Sequence, residues 1–169
     1  VRVVNDEDKD VAPNDPGELL IRAPSLFGGY WNNPEETVRA LEGGWLRTGD
    51  IVMYDDEGFF YIIGRKKRVI RSGSESIYPE EIEKILVSHP KIEEALVIGI
   101  PDKMWGEVPK ALIVLKRGES LNEEEVIDYC LGKLAKYKVP KSIEFVESIP
   151  KTPAGKVSRE ELIKKYGSK

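Results

Sequence analysis

Asp50-Ile51-Val52-Met53-Tyr54, Asp55-Asp56-Glu57-Gly58, Phe59-Phe60-Tyr61-Ile62-Ile63 and Gly64-Arg65-Lys66-Lys67-Arg68 follow one another without a break. Two β-rich runs flank a short acidic segment ending in glycine, which predicts a hairpin. Directly behind it, Arg65 to Arg68 and Arg71 make a tight knot of cations between apolar segments. Such mutual repulsion is easier to justify where an anion sits nearby. Ahead of the knot the patterning is β, and behind it helical signals begin. The stretch therefore predicts an all-β piece over roughly residues 1–63, an α+β piece over roughly 68–169, and a joint at Gly64 to Lys67.

Working outward toward the N-terminus, Gly17 to Arg22 reads as a short strand. Asn33-Pro34-Glu35-Glu36 is a helix start, with an Asn cap, proline in the first turn and acids facing the dipole. Val38 and Leu41 are expected to give that helix its apolar side, and Gly43-Gly44 to stop it. Toward the C-terminus, Pro79-Glu80-Glu81 opens a helix whose Ile82, Ile85 and Leu86 share a face, ending near His89-Pro90. Ile92 to Ile100 and Lys110 to Leu115 are strands buried on one face or both. Asn122 and Glu125 form a capping-box pattern ahead of Val126, Ile127, Cys130, Leu131 and Leu134. Ile143 to Val146 is a last strand, and Ser158 with Glu161 predicts the cap of a terminal helix. His89 reads as a helix-end residue, Cys130 as core and Trp105-Gly106-Glu107 as a turn.

Charge follows the same division. The 169 residues carry a formal charge of −4, yet residues 1–64 hold −8, residues 65–131 hold −2 and residues 132–169 hold +6. Forty per cent apolar and 33 % charged residues exclude a disordered chain. The longest apolar run, Ala95 to Ile100, falls far short of the ~20 residues a membrane helix needs. One cysteine and one histidine exclude a disulfide framework and a Cys/His zinc cluster. Val1 is not an initiator Met, and the chain reads as a cut through a longer one. An acidic first half without an aromatic-basic stacking face argues against nucleic acid as a partner.

Three places carry candidate chemistry. In Gly44-Trp45-Leu46-Arg47-Thr48-Gly49-Asp50, Asp50 follows a glycine turn and can offer two oxygens to a pair of vicinal hydroxyls. Arg65, fifteen residues on, has the planar guanidinium that suits a sugar hydroxyl or phosphate. Arg71-Ser72-Gly73-Ser74-Glu75-Ser76 reads as a small-residue loop that lets a backbone approach a ligand, although no Walker loop exists in the chain. Pro150-Lys151-Thr152-Pro153-Ala154-Gly155-Lys156 predicts an irregular loop of fixed shape presenting Lys156. The bland alternatives are a turn-capping Asp50, a solvated Arg65 and an exposed Lys156.

Taken together and in order, Gly-Glu-Leu at 17–19, Gly-Gly-Tyr-Trp-Asn-Asn-Pro-Glu at 28–35, Trp-Leu-Arg-Thr-Gly-Asp at 45–50, Gly-Arg-Lys-Lys at 64–67, Tyr-Pro-Glu-Glu-Ile-Glu at 78–83 and the Lys156 loop resemble the C-terminal third of the adenylate-forming superfamily. Among its members the chain is most similar to acyl-CoA synthetases, and Tyr137-Lys138-Val139-Pro140 adds to that likeness. The resemblance implies a small β-barrel-like subdomain over 1–64, a hinge at 65–67, and a mobile α+β lid over 68–169 with a short sheet and about three helices. It implies ATP with Mg2+, a carboxylic acid, fatty by family, and coenzyme A as reactants, in a cytoplasmic enzyme. Asp50 and Arg65 then match ribose contacts, Arg71 and Ser76 further ATP/AMP contacts, and Lys67 the hinge. Ser72, Gly73 and Ser74 match the loop lining the thiol channel, and Lys156 the lysine that reaches the carboxylate and α-phosphate. Ser74 stands where a second glycine is common, and Ser76 replaces an amide. The superfamily's phosphate loop, its Tyr-Gly-x-Thr-Glu motif and its acyl pocket are not in these residues. The chain is therefore expected to pack against a preceding domain and to be inactive alone. A peptide-synthetase amino-acid-activating domain and a non-catalytic basic binding module are the alternatives.

Overall fold

The computed structural model describes residues 1–153 and 155–167. They separate into two compact units, Val1–Lys67 and Arg68–Lys169.

The first unit is an open antiparallel sheet. Its strands are β1 (Arg2–Val4), β2 (Gly17–Ile21), β3 (Leu46–Tyr54) and β4 (Phe60–Arg65), in that spatial order. Helix α1 (Pro34–Ala40) lies between β2 and β3 in sequence, with Asn33 Oδ1 accepting from the Glu36 amide at 3.2 Å. The hairpin predicted from Ile51 to Ile63 is present, its turn pinned by Asp55, whose Oδ1 accepts from the Glu57 and Phe59 amides. β1 and β4 do not pair, so the barrel-like subdomain takes the form of a four-stranded sheet without closure. Val3, Val4, Leu20, Ile51 and Val52 are its buried apolar residues. Val38 departs from expectation: it is 72 % exposed, while Ala40 is buried. Two residues apart, they lie about 200° apart around a helix, so one helix face cannot bury both.

The second unit is a sheet covered on both faces. Hairpin β5 (Ile70–Ser72) and β6 (Glu75–Ile77) leads into α2 (Pro79–Val87), then β7 (Ile92–Asp102), β8 (Gly106–Leu115), α3 (Glu123–Leu131), β9 (Ser142–Phe145) and α4 (Arg159–Tyr166). Spatial order is β6-β5-β8-β7, with β9 parallel beside β8. Alternation along β7 and β8 sorts the core. Ala95, Val97, Ala111 and Ile113 face Ile82 and Leu86 of α2 and Val126 and Cys130 of α3. Leu96, Ile98 and Leu112 form a second cluster with Leu162 of α4 and Ile149. Fully buried side chains of this size each contribute about 1.5–3 kcal/mol.

Several local readings change. Arg71 to Ser76 is a hairpin rather than a loop running into a helix, with Ile70 paired to Ile77, Arg71 to Ser76 and Ser72 to Glu75. Ser158 caps α4 by position but its side chain makes no capping bond. The Asn122–Glu125 box is complete in both directions, at 2.9 and 2.8 Å. No helix among the described residues is long and apolar enough to cross a membrane.

Candidate functional site

Asp50 and Arg65 are cross-strand partners at the open end of the β3–β4 hairpin. Arg65 Nε lies 2.9 Å from Asp50 Oδ1 in an ion pair, and its Nη1 donates to the Thr48 carbonyl at 2.8 Å. Gly49 makes this geometry possible with φ of 69°. Thr48 Oγ1 accepts from the Asp50 amide at 3.0 Å and donates to the Leu19 carbonyl at 2.8 Å, tying the turn to β2. Asp50 Oδ2 has no protein donor among the described residues, so one carboxylate oxygen stays available to a hydroxyl.

Beside this pair lies a cleft of about 450 Å³ whose lining includes Glu18, Arg39, Arg47, Gly49, Arg65 and Lys67. Its floor is an ion network that sequence reasoning missed. Glu18, 5 % exposed, accepts through Oε2 from both Arg47 Nη1 at 3.1 Å and Lys66 Nζ at 2.9 Å. Arg47 also meets Asp8 at 2.6 Å and Glu42 at 2.9 Å. The Asp8 bond, more than its partial burial opposes, holds the Arg47 guanidinium well above its ordinary pKa. Burial works against charge on Lys66, but the bond to Glu18 and the nearby Asp6 outweigh it and raise its pKa. Glu18 gives no signal in the sequence, because a carboxylate between glycine and leucines reads as the solvent face of a strand. Lys67 is exposed in the 3-10 turn Lys66–Arg68.

In the second unit the β5–β6 hairpin gathers Arg71 and Ser76, with Arg71 Nη1 donating to Ser76 Oγ at 2.7 Å. The Arg71 amide donates to Glu107 Oε2 at 3.1 Å. Ser72 is buried and pairs with Gly106, and Gly73 turns the hairpin with φ of 61°. Gly73 donates to the Trp105 carbonyl at 2.7 Å, and a β-carbon there would stand 3.2 Å from the Trp105 ring. Trp105 thus backs the tip that exposes Ser74.

Lys156 sits on a separate loop, closed by the bridge between Lys151 and Val157. The Thr152 amide donates to the Lys156 carbonyl at 2.7 Å, and the Lys156 amide to Thr152 Oγ1 at 3.2 Å. Its ammonium is exposed and makes no ion pair among the described residues. Ala154 of the same loop lies outside the described residues. Behind the loop, Arg159 donates through Nη2 to Glu83 Oε1 at 2.7 Å and through Nη1 to the Val97 carbonyl. A cation on the first residue of a helix opposes the dipole, and that anomaly was the available signal for Arg159.

Comparison with known proteins matches these residues to one family. Residues 81–156 match the AMP-binding enzyme C-terminal domain. A 2-succinylbenzoate–CoA ligase of Geobacillus kaustophilus is 46 % identical over 91 % of this chain and 31 % of its own length. A long-chain-fatty-acid–CoA ligase of Bacillus subtilis is 47 % identical over 90 % and 27 % respectively. The chain thus spans about three-tenths of the length of these relatives. Among solved structures, the amide bond synthetase McbA of Marinactinospora thermotolerans superposes with a TM-score of 0.90 at 33 % identity, over 98 % of this chain and 34 % of that one. The o-succinylbenzoate CoA synthetase MenE of Bacillus subtilis, in complex with its acyl-adenylate intermediate, gives 0.88 at 37 % identity, over 95 % and 33 %. The chain belongs to the adenylate-forming superfamily, as the part that carries the AMP-binding C-terminal domain.

Proposed function

We propose that these residues are the C-terminal part of an AMP-forming acyl-CoA ligase. In the first step a substrate carboxylate oxygen attacks the α-phosphorus of Mg-bound ATP, and pyrophosphate leaves. In the second the sulfur of coenzyme A attacks the acyl carbon, the thiol proton departs to base, and AMP leaves. Asp50 Oδ2 and the Arg65 guanidinium hold the ribose, with Arg71 and Ser76 as further nucleotide contacts. Lys156 brings positive charge to the carboxylate and α-phosphate, where charge concentrates in the transition state. Lys67 is the hinge between the units, and Ser72, Gly73 and Ser74 line the thiol path. Mg2+ arrives on the phosphates, with its protein ligands outside these residues. We place the enzyme in the cytoplasm, with this segment packed against a preceding domain and a fatty acid as the carboxylic substrate.

One observation carries the reading: the exposed Lys156 ammonium makes no ion pair among the described residues although its loop is tightly bonded to itself. The CoA-ligase names of the relatives support a thiol acceptor. The test uses the complete protein. A panel of carboxylic acids should drive ATP–pyrophosphate exchange and, with coenzyme A, release AMP and a thioester. Exchange with no acid would overturn the reading, and adenylate consumed only by amines would replace the thiol acceptor.

A further inference from the structure

Three elements of the second unit meet at one point. Glu83 Oε1, on α2, accepts from Arg159 Nη2 at 2.7 Å and from the Val97 amide at 2.8 Å, while Arg159 Nη1 donates to the Val97 carbonyl. The two side chains are only 16 % and 17 % exposed. A largely desolvated pair of this kind adds little net stability compared with apolar packing, so geometry is what it supplies. Arg159 is the first residue of α4 and lies three positions after Lys156. Leu162 already fixes how deeply α4 sinks into the sheet face. Apolar contact is non-directional, and at its far end α4 is tied to β8 by Lys110 Nζ, which donates to the Tyr166 carbonyl at 3.1 Å. The forked guanidinium fixes the near end of α4, next to the Lys156 loop, since its two nitrogens are bonded to different elements.

The loop ahead of α4 is self-contained. Its ends join at Lys151 and Val157, and Thr152 bonds across it to Lys156 in both directions. Among the described residues the loop is also tethered by Val157, which packs on the second apolar cluster, and by Lys151 Nζ to Glu94 Oε1 at 2.8 Å, an exposed and correspondingly weak pair. We infer that the Glu83–Arg159 pair is a positioning device for Lys156, fixing the start of α4 so that the loop presents the ammonium at one place. Neither residue touches substrate. The inference rests on Lys156 being the adenylation lysine, and a misplacement of ~1 Å there can cost roughly 10²-fold in rate.

The experiment is a double-mutant cycle in the complete protein, with the two half-reactions followed separately in single turnovers. Glu83→Gln keeps an acceptor for the Val97 amide and removes the charge opposite Arg159. It should slow adenylate formation by about 10- to 100-fold and leave thioester formation from supplied acyl-adenylate unchanged. In a Lys156→Ala background the same change should alter adenylation by less than about twofold, since the pair acts only through that lysine. Arg159→Lys, which keeps charge but not the fork, is the second variant and should show the same split more weakly. Equal slowing of both steps, or a full Glu83→Gln effect in the Lys156→Ala background, overturns the positioning role and leaves the proposed function standing. Unchanged adenylation in Lys156→Ala overturns both.

Discussion

Asp50 and Arg65 face one another across the β3–β4 ladder, joined at 2.9 Å by Nε and Oδ1, so the carboxylate is held by one oxygen and offers the other. The free oxygen can accept from a hydroxyl, with the guanidinium as a donor to the neighbouring one. Asp50→Ala in the complete protein should raise the KM for ATP about tenfold to a hundredfold, the worth of a charge-assisted bond of ~1.5–3 kcal/mol. An ATP analogue lacking both ribose hydroxyls should lose this sensitivity. Initial-rate measurements on wild type and variant with both nucleotides check it.

Lys156→Ala should slow adenylate formation by roughly 10²–10³, the usual cost of one preorganised charge donor. Thioester formation from supplied adenylate should survive. A solvated lysine without a role would change either rate by less than about twofold. Rapid-quench single turnovers distinguish the two.

Lys67→Pro should have the opposite profile. Proline locks φ near −65°, and a hinge must change its backbone angles between the two steps. Adenylation should proceed and transfer to coenzyme A should fall. Equal loss of both would mean that the substitution damages folding instead.

The 169 residues purified by themselves should neither form acyl-adenylate nor exchange pyrophosphate into ATP. Their sequence holds neither a Ser/Thr/Gly-rich phosphate loop nor a Tyr-Gly-x-Thr-Glu motif. Exchange above background by this chain would contradict the division of labour proposed above.

Cys130 lies in the core between α3 and the sheet, and burial pushes its thiol up to about 11. Native protein should therefore resist iodoacetamide at pH 8 and react once unfolded. Stability should also respond in a defined direction. The unfolded thiol loses its proton near pH 9 and the folded one near 11, so stability falls as pH rises through that window. Urea unfolding at pH 8 and pH 10.5, compared with Cys130→Ala, isolates the effect as a shallower pH slope in the variant.

Legibility in the sequence followed the range of the interaction. The Asn122–Glu125 box and the Asn33 cap are settled within four residues, and both were readable. The long β7 and β8 runs announce themselves by apolar length, and their two-sided burial follows from helices on either side. The β5–β6 hairpin escaped notice because three residues per strand, rich in Ser and Glu, carry no period-2 apolar pattern. Ser158 shows the reverse failure, since a good cap residue at the right place forms no capping bond. Glu18, Glu83 and Arg159 owe their significance to partners 14 to 76 positions away, which local patterning does not report. Asp50, Arg65 and Lys156 stood out for their loops and spacing, and only the resemblance supplied their expected roles.

Glu18 has a mechanical consequence. By gripping Lys66 and Arg47 through one oxygen, it moors the last stretch of the first unit to the middle of its own sheet. For the hinge proposed at Lys67, this buried carboxylate supplies a stationary post immediately before it. Under that proposal, torque from Arg68 onward would be taken up at a single residue instead of unravelling the end of β4, and the sheet that holds Asp50 would keep its pairing through repeated turns.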